Sequence, residues 1–154
     1  MQNQQYIPAQ KLLIPADKKI ILVGGCFDVI HFGHLRFLEQ AKEMGDYLVI
    51  ALESDEHILH YKHRIPVHKQ TERAYNLNAI RHVDNVIMLP FLHDFKDYLQ
   101  LVQTIKPHII AITNNDPQMI NKQKQADVIN AQLIIVTNII EPFSSSTIIK
   151  NNFT

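Results

Sequence analysis

Gly24-Gly25-Cys26-Phe27-Asp28-Val29-Ile30-His31-Phe32-Gly33-His34 follows an apolar run, Ile20-Ile21-Leu22-Val23, and leads into an amphipathic segment from Leu35 to Met44. All 4 glycines of the chain lie between positions 24 and 45, and three belong to this stretch. A buried strand, a small-residue turn and two histidines at a helix start form an arrangement suited to phosphate. Glycine lets the backbone approach a polyphosphate closely. The first turn of a helix offers N–H groups and a partial positive charge. His31 and His34, at i and i+3, share one helix face, so both imidazoles can hydrogen-bond one phosphate oxygen.

Beyond this stretch, strand and helix patterns alternate. Lys19 to Val23 reads as a strand, followed by a helix with Leu35, Leu38 and Ala41 on its stripe and Gly45 as a C-cap. Tyr47 to Leu52 is a second strand, and Ser54-Asp55-Glu56 starts a short helix or turn. His60 to Lys69 is basic, histidine-rich and contains Pro66, which predicts a loop; Thr71-Glu72-Arg73 opens the next long helix. Val86 to Leu89 is a third strand. Phe95 to Ile105 is helical by period, with Tyr98, Leu101, Val102 and Ile105 as core residues. Ile109 to Ile112 is a fourth strand, Gln118 to Asn130 a helix, Leu133 to Val136 a fifth strand, and Ser144 to Thr147 a final helix start. Continuous apolar strands alternating with helices predict an α/β class, a single Rossmann-like doubly wound domain with about five parallel strands. Ligands of such sheets sit beyond the carboxyl ends of the strands, so the glycine turn and the serine-rich segment face one cleft. Residues 1–17, punctuated by Pro8 and Pro15, read as an N-terminal arm, and residues 18–154 as the functional domain.

At 154 residues, 46% of them hydrophobic, the chain can bury a core, and a net charge of zero leaves no basic footprint for nucleic acid. A single cysteine excludes an internal disulfide. The polar Met1-Gln2-Asn3-Gln4-Gln5 precedes no apolar leader, and no apolar run is long enough for a bilayer, so the expectation is a cytoplasmic protein without a membrane partner.

Gly25-Cys26-Phe27-Asp28 through His31-Phe32-Gly33-His34 resembles the signature of the cytidylyltransferase-like nucleotidyltransferases, nearest to heptose-phosphate adenylyltransferases and glycerol-phosphate cytidylyltransferases. The likeness continues through Ala41-Lys42, Gly45 to Val49 and Ser54-Asp55-Glu56. It resumes at Arg64, Pro66-Val67, Glu72-Arg73, Ala79-Ile80-Arg81, Val83-Asp84 and Lys106-Pro107, and closes at Ser144-Ser145-Ser146 with Ile148-Ile149-Lys150. It implies transfer of AMP or CMP from ATP or CTP to a phosphorylated small molecule, a sugar or polyol phosphate, with release of pyrophosphate. His31, His34 and Lys62 are then catalytic. Gly25, Cys26, Phe27, Gly33, Arg64 and Ser144, Ser145 and Ser146 bind the nucleotide, and Arg73 reaches the acceptor. The resemblance also implies magnesium, held largely by the triphosphate, no protein metal site, and a homodimer. Asp28 is a nearby carboxylate but not an expected ligand.

Two departures bear on the acceptor. Ile139-Ile140-Glu141-Pro142 stands where glycerol-phosphate cytidylyltransferases carry Arg-Thr-Glu-Gly. Thr113-Asn114-Asn115-Asp116-Pro117 stands where heptose-phosphate adenylyltransferases carry Gly-Gly-Asp-Tyr. A flavin or pantetheine adenylyltransferase, or a nucleotide-binding module without turnover, is therefore an alternative. His57, His60 and His63 are spaced by three, which fits either a metal-binding helix face or a hydrated basic loop. Cys26 has no defined acid–base partner beyond the histidines, which favours a packing role. A Rossmann oxidoreductase is disfavoured because Cys26-Phe27-Asp28 follows the glycine pair where GxGxxG would continue.

Overall fold

The computed structural model describes residues 14–137 and 149–150. Among them, five strands, β1 (Ile20–Gly25), β2 (Tyr47–Leu52), β3 (Asn85–Met88), β4 (Ile109–Thr113) and β5 (Gln132–Thr137), are joined by five helices, two of them between β2 and β3. The helices are α1 (Phe32–Lys42), α2 (Asp55–Lys62), α3 (Gln70–Asn78), α4 (Phe95–Ile105) and α5 (Met119–Val128). The strands form one parallel sheet in the order β3-β2-β1-β4-β5.

The apolar runs are continuous because both faces of the sheet are covered. Ile21 and Val23 of β1, with Leu48, Ile50 and Leu52 of β2, pack against Phe37, Leu38 and Ala41 of α1 and Ala74 and Leu77 of α3. The alternate residues Ile20, Leu22, Val49 and Ala51 face Leu101, Val102 and Ile105 of α4 and Ala126 of α5. Helices α1 and α3 cover one face, and α4 and α5 the other. The chain therefore reverses direction across the sheet between β1 and β4, the switch point where open α/β sheets form clefts.

Several local expectations shift. Helix α1 begins at Phe32 rather than Leu35, with His31 as its N-cap. Its C-cap is Glu43 in ordinary helical geometry, and none of the described glycines has a positive φ. Gly45 is instead small by necessity: a Cβ there would lie 2.8 Å from the Lys19 carbonyl and would overlap the Ile21 side chain. His60, Tyr61 and Lys62 belong to α2 rather than to a loop, and the loop starts at His63, whose φ of 54° ends the helix in left-handed geometry. Of the segment expected to be an arm, Ile14 packs against the α4 face of the core. The serine-rich segment lies outside the described residues. No helix among the described residues is long and apolar enough to cross a membrane.

Candidate active site at the carboxyl edge of β1

Strand β1 ends in Gly25, and the chain folds back on itself. Phe27 adopts φ 47°, a left-handed conformation that costs a side-chain-bearing residue free energy. Gly25 makes this turn feasible, since a Cβ there would stand 2.8 Å from the Phe27 ring. The buried Phe27 ring then lies 5.0 Å from that of His34 and forms its apolar backing.

The two histidines stack, with ring centroids 3.8 Å apart and planes inclined by 20°. The His34 backbone N–H donates to His31 Nδ1 at 3.4 Å. A neutral His31 ring that accepts at Nδ1 carries its proton on Nε2. The first turn of α1 holds no acidic residue, so no carboxylate of that turn offsets its positive end. Burial lowers the pKa of His31. Burial, then the neighbouring His31 and Lys62, pull His34 down to about 3, while a hydrogen bond with the Val29 backbone opposes them. His34 Nδ1 is buried and, among the described residues, has no hydrogen-bond partner. The pair is therefore uncharged at neutral pH and can form hydrogen bonds or take up a proton when anionic charge arrives.

The turn is held by Asp28, the carboxylate expected beside the site without a ligand role. Asp28 is 1% exposed and accepts from the backbone N–H groups of Val67 and His68, both at 3.0 Å, and from Arg64 Nη1 at 2.5 Å. Burial raises its pKa, but those two N–H groups and Arg64 outweigh burial, and the net shift is downward. Asp28 thus ties the α2–α3 loop to the β1–α1 turn.

Arg73, expected to reach an acceptor, is 0% exposed. Its Nε donates to the His68 carbonyl at 3.0 Å, and its Nη1 to the carbonyls of Cys26 at 2.7 Å and Glu53 at 2.9 Å. Its Nη2 donates to Asp55 Oδ1 at 2.7 Å. A guanidinium committed in this way organises the edge and is not presented to a ligand. Cys26, expected to bind the nucleotide, has its carbonyl engaged by Arg73. Burial, before any charge effect, raises the Cys26 thiol pKa, in keeping with packing rather than nucleophilic use.

Lys62 in the last turn of α2 is exposed and lies close enough to act electrostatically on His34, His57 and Cys26. Arg64 is only half used. Beside its Asp28 bond, Nη1 reaches the Ile65 carbonyl at 3.3 Å, while Nε and Nη2 are buried without a hydrogen-bond partner among the described residues. His31, His34, Lys62 and Arg64 thus converge on one edge, whereas Arg73 stands behind it. Glu72, whose carboxylate accepts from the Lys69 N–H at 2.8 Å, acts as a first-turn cap of α3.

A second polar group was not anticipated. Glu53, directly after β2, is buried; its Oε1 accepts from the Tyr98 hydroxyl at 2.9 Å and its Oε2 lies 3.3 Å from His57 Nδ1. Burial raises its pKa to about 7, against the Tyr98 hydrogen bond and the charges of Lys122 and Arg73. Tyr98 is therefore more than core. An acid placed at the carboxyl end of a fully apolar strand was the available signal. The His57, His60 and His63 spacing gathers no metal set: no group of three or more His, Cys, Asp or Glu among the described residues could hold an ion.

An FAD synthase of Thermococcus kodakarensis is 47% identical over 97 residues, 62% of this chain and 62% of that protein. The bifunctional protein HldE of Campylobacter jejuni subsp. doylei is 36% identical over 143 residues, 90% of this chain but 29% of that protein. The chain thus spans less than two thirds of the length of either relative. A lipopolysaccharide core biosynthesis protein of Thermoplasma volcanium shares the fold, with a TM-score of 0.63 at 23% identity over 80% of this chain and 97% of its own. Pantoate-beta-alanine ligase of Francisella tularensis does so at 0.64 and 14% identity, over 88% of this chain and 65% of its own. Residues 22–152 match the cytidylyltransferase-like family, and the chain belongs to it.

Proposed function

We propose that this chain is a nucleotidyltransferase that moves AMP or CMP from ATP or CTP onto the phosphate of a small acceptor. A phosphate oxygen of the acceptor attacks the α-phosphorus, the bond to the bridging oxygen of the β-phosphate breaks, and pyrophosphate leaves with that electron pair. The observation that carries the reading is the stacked, uncharged His31–His34 pair at the mouth of α1. The chain forms no covalent bond to the substrate in this scheme. His31 and His34 orient the triphosphate and stabilise the charge that builds on its oxygens, aided by Lys62 and the spare donors of Arg64. Magnesium would accompany the triphosphate and screen its charge. Ser144, Ser145 and Ser146 remain part of the proposed nucleotide site, and a homodimer part of the proposed assembly.

A phosphorylated sugar or polyol is one acceptor class, supported by the likeness to HldE. The FAD synthase likeness supports a second, flavin mononucleotide. Pyrophosphate release, screened over nucleotides and acceptors, tests the reaction. His34→Ala should lower the rate on the order of a hundred- to a thousandfold, with triphosphate affinity changed only a few fold. Similar small losses in both, or no release with any pair, would leave a nucleotide-binding module.

A further inference from the structure

Helix α2 carries Lys62 and leads into Arg64, yet little apolar surface holds it down. It is 8 residues long, and of these only Ile58 is buried. A helix this short is not stable by its own hydrogen bonds, so its ties to neighbouring elements set its position. Asp55 in its first turn bonds Arg73 Nη2, and His57 stands against Glu53. Tyr61, 51% exposed, lies 4.7 Å from the His57 ring and 6.2 Å from Phe91, and this aromatic face has the Glu53 carboxyl behind it.

The surroundings of that carboxyl suit an acid better than a carboxylate. The main chain of Glu53 is fixed: its N–H donates to the Gly25 carbonyl at 3.0 Å, and its carbonyl accepts from Arg73 Nη1 at 2.9 Å. In the side chain, Oε1 accepts from the Tyr98 hydroxyl at 2.9 Å. Oε2 is buried 3.3 Å from His57 Nδ1 and accepts no hydrogen bond among the described residues. Charge on that oxygen would be cut off from water without a donor, which is costly. A proton on Oε2 makes it the donor and Nδ1 of a neutral His57 its acceptor. Burial drives both groups this way, raising Glu53 to about 7 and lowering His57 to about 4. Arg73 of α3, Tyr98 of α4, Lys122 of α5, Cys26 of the turn, and His60 and Lys62 of α2 lie within electrostatic reach of the pair. Arg73 is paired with Asp55 and Lys122 with Asp116. These cations temper the rise on Glu53 and deepen the fall on His57, which keeps the imidazole an acceptor.

We propose that the Glu53–His57 hydrogen bond is a proton-dependent latch for α2, closed while Glu53 is a neutral acid and opened when it ionises, so that triphosphate binding weakens as the solution turns alkaline. Glu53 and His57 are positioning residues in this scheme. They touch no substrate, and act through the place they give to Lys62 and to the start of the Arg64 loop. The latch rests on the nucleotide site proposed above and names its regulation.

Two measurements on the full chain test it. The first follows the carbon-13 signal of the Glu53 carboxyl, assigned by its loss in Glu53→Gln, together with the amide signals of α2 as pH rises. The carboxyl should titrate near neutrality, and the α2 amides should shift with it. The second is calorimetric titration with non-hydrolysable ATP and CTP analogues at pH 6 and pH 8. At pH 8 about one wild-type molecule in ten keeps the proton, so affinity should fall about tenfold relative to Glu53→Gln. In that variant the amide accepts from Tyr98 and donates to Nδ1 without a titrating proton, so the latch stays closed at both pH values. The ionisation of the triphosphate is common to both proteins and cancels in the ratio. Glu53→Ala, without a latch, should bind weakly at both; if it does not fold, the Glu53→Gln comparison still decides. Parallel affinities for wild type and Glu53→Gln overturn the proposal. So does a carboxyl that titrates in the ordinary carboxylate range, or α2 amides that stay still while it titrates, as they would if His57 moved its proton to Nδ1 and kept the contact. No binding of either analogue at either pH removes the nucleotide reading instead, and the ligand-free titration of Glu53 and α2 then judges the latch by itself.

Discussion

Arg64 and Arg73 flank the same loop and meet opposite fates. Arg73 is fully buried, and its Nε, Nη1 and Nη2 are matched to three carbonyls and one carboxylate. Arg64 gives only Nη1 to Asp28 and Ile65, and keeps two buried nitrogens without partners among the described residues. A desolvated guanidinium is costly unless its donors are satisfied. Arg73 meets that condition from within the protein and therefore acts as architecture. Arg64 does not, so an anion brought to this edge completes what the fold leaves open. The same charge a short way along the chain thus serves the shape of the site in one case and its occupant in the other.

Removing Arg73 should have the largest effect. Arg73→Met strands the carbonyls of Cys26, Glu53 and His68 and releases Asp55, a loss of about 3–5 kcal/mol by the usual cost of breaking a buried pair. Thermal unfolding should then drop by roughly 10 °C for a domain of this size. Arg73→Lys should rescue little, because one ammonium cannot reproduce a planar fork aimed at four oxygens. A melting temperature near that of the wild type in Arg73→Lys would remove the distinction between the two arginines.

How legible this edge was in the sequence follows from the same contrast. The parallel sheet, its five strands and the histidine pair were readable because local pattern carries them: apolar runs, one glycine turn and an i,i+3 spacing. The role of Arg73 was not, because a Glu–Arg helix start looks the same whether the arginine faces a ligand or three carbonyls from separate segments. The Asp28 clamp on Val67 and His68 joins residues that only the folded chain brings together. Gly45 departs from its expected role for a related reason. A glycine after a helix is commonly a left-handed cap, but here the crowding of Lys19 and Ile21 demands it. Tyr98 falls on the helical stripe and reads as core, since periodicity places a ring but says nothing about the reach of its hydroxyl to Glu53.

Arg64 should give an intermediate effect that sharpens the comparison. Arg64→Ala leaves Asp28 with two backbone donors, so stability should fall by only about 1 kcal/mol. Triphosphate affinity should fall roughly ten- to a hundredfold, the scale of a lost charge-assisted hydrogen bond. Calorimetric titration with a non-hydrolysable triphosphate measures it, with the unfolding midpoint of the same sample as the control. A large stability loss with unchanged affinity would make Arg64 a second Arg73.

The smallest effect concerns the acid behind the aromatic face, and its sign depends on pH. His34 and His57, lowered to about 3 and about 4, bind fewer protons folded than unfolded. Their contribution is present above about 6.5 and is lost as pH falls toward the folded values. Glu53 works the other way. Its folded pKa of about 7 lies above the unfolded 4.5, so the folded chain holds a proton that the unfolded chain releases. That contribution is complete below about 4.5 and is lost as pH rises through about 7, where burial opposes an ionised carboxylate and only Lys122, Arg73 and the Tyr98 hydroxyl offset it. Glu53→Gln keeps the acceptor for Tyr98 and removes the titration. It should therefore stabilise the chain at pH 8 by roughly 2–3 kcal/mol and leave it almost unchanged at about pH 4. Denaturant unfolding at both pH values decides the matter. An equal shift at the two would mean that the Glu53 carboxyl ionises freely where it sits, so that the carboxyl edge of β2 is wet even though the edge of β1 is dry.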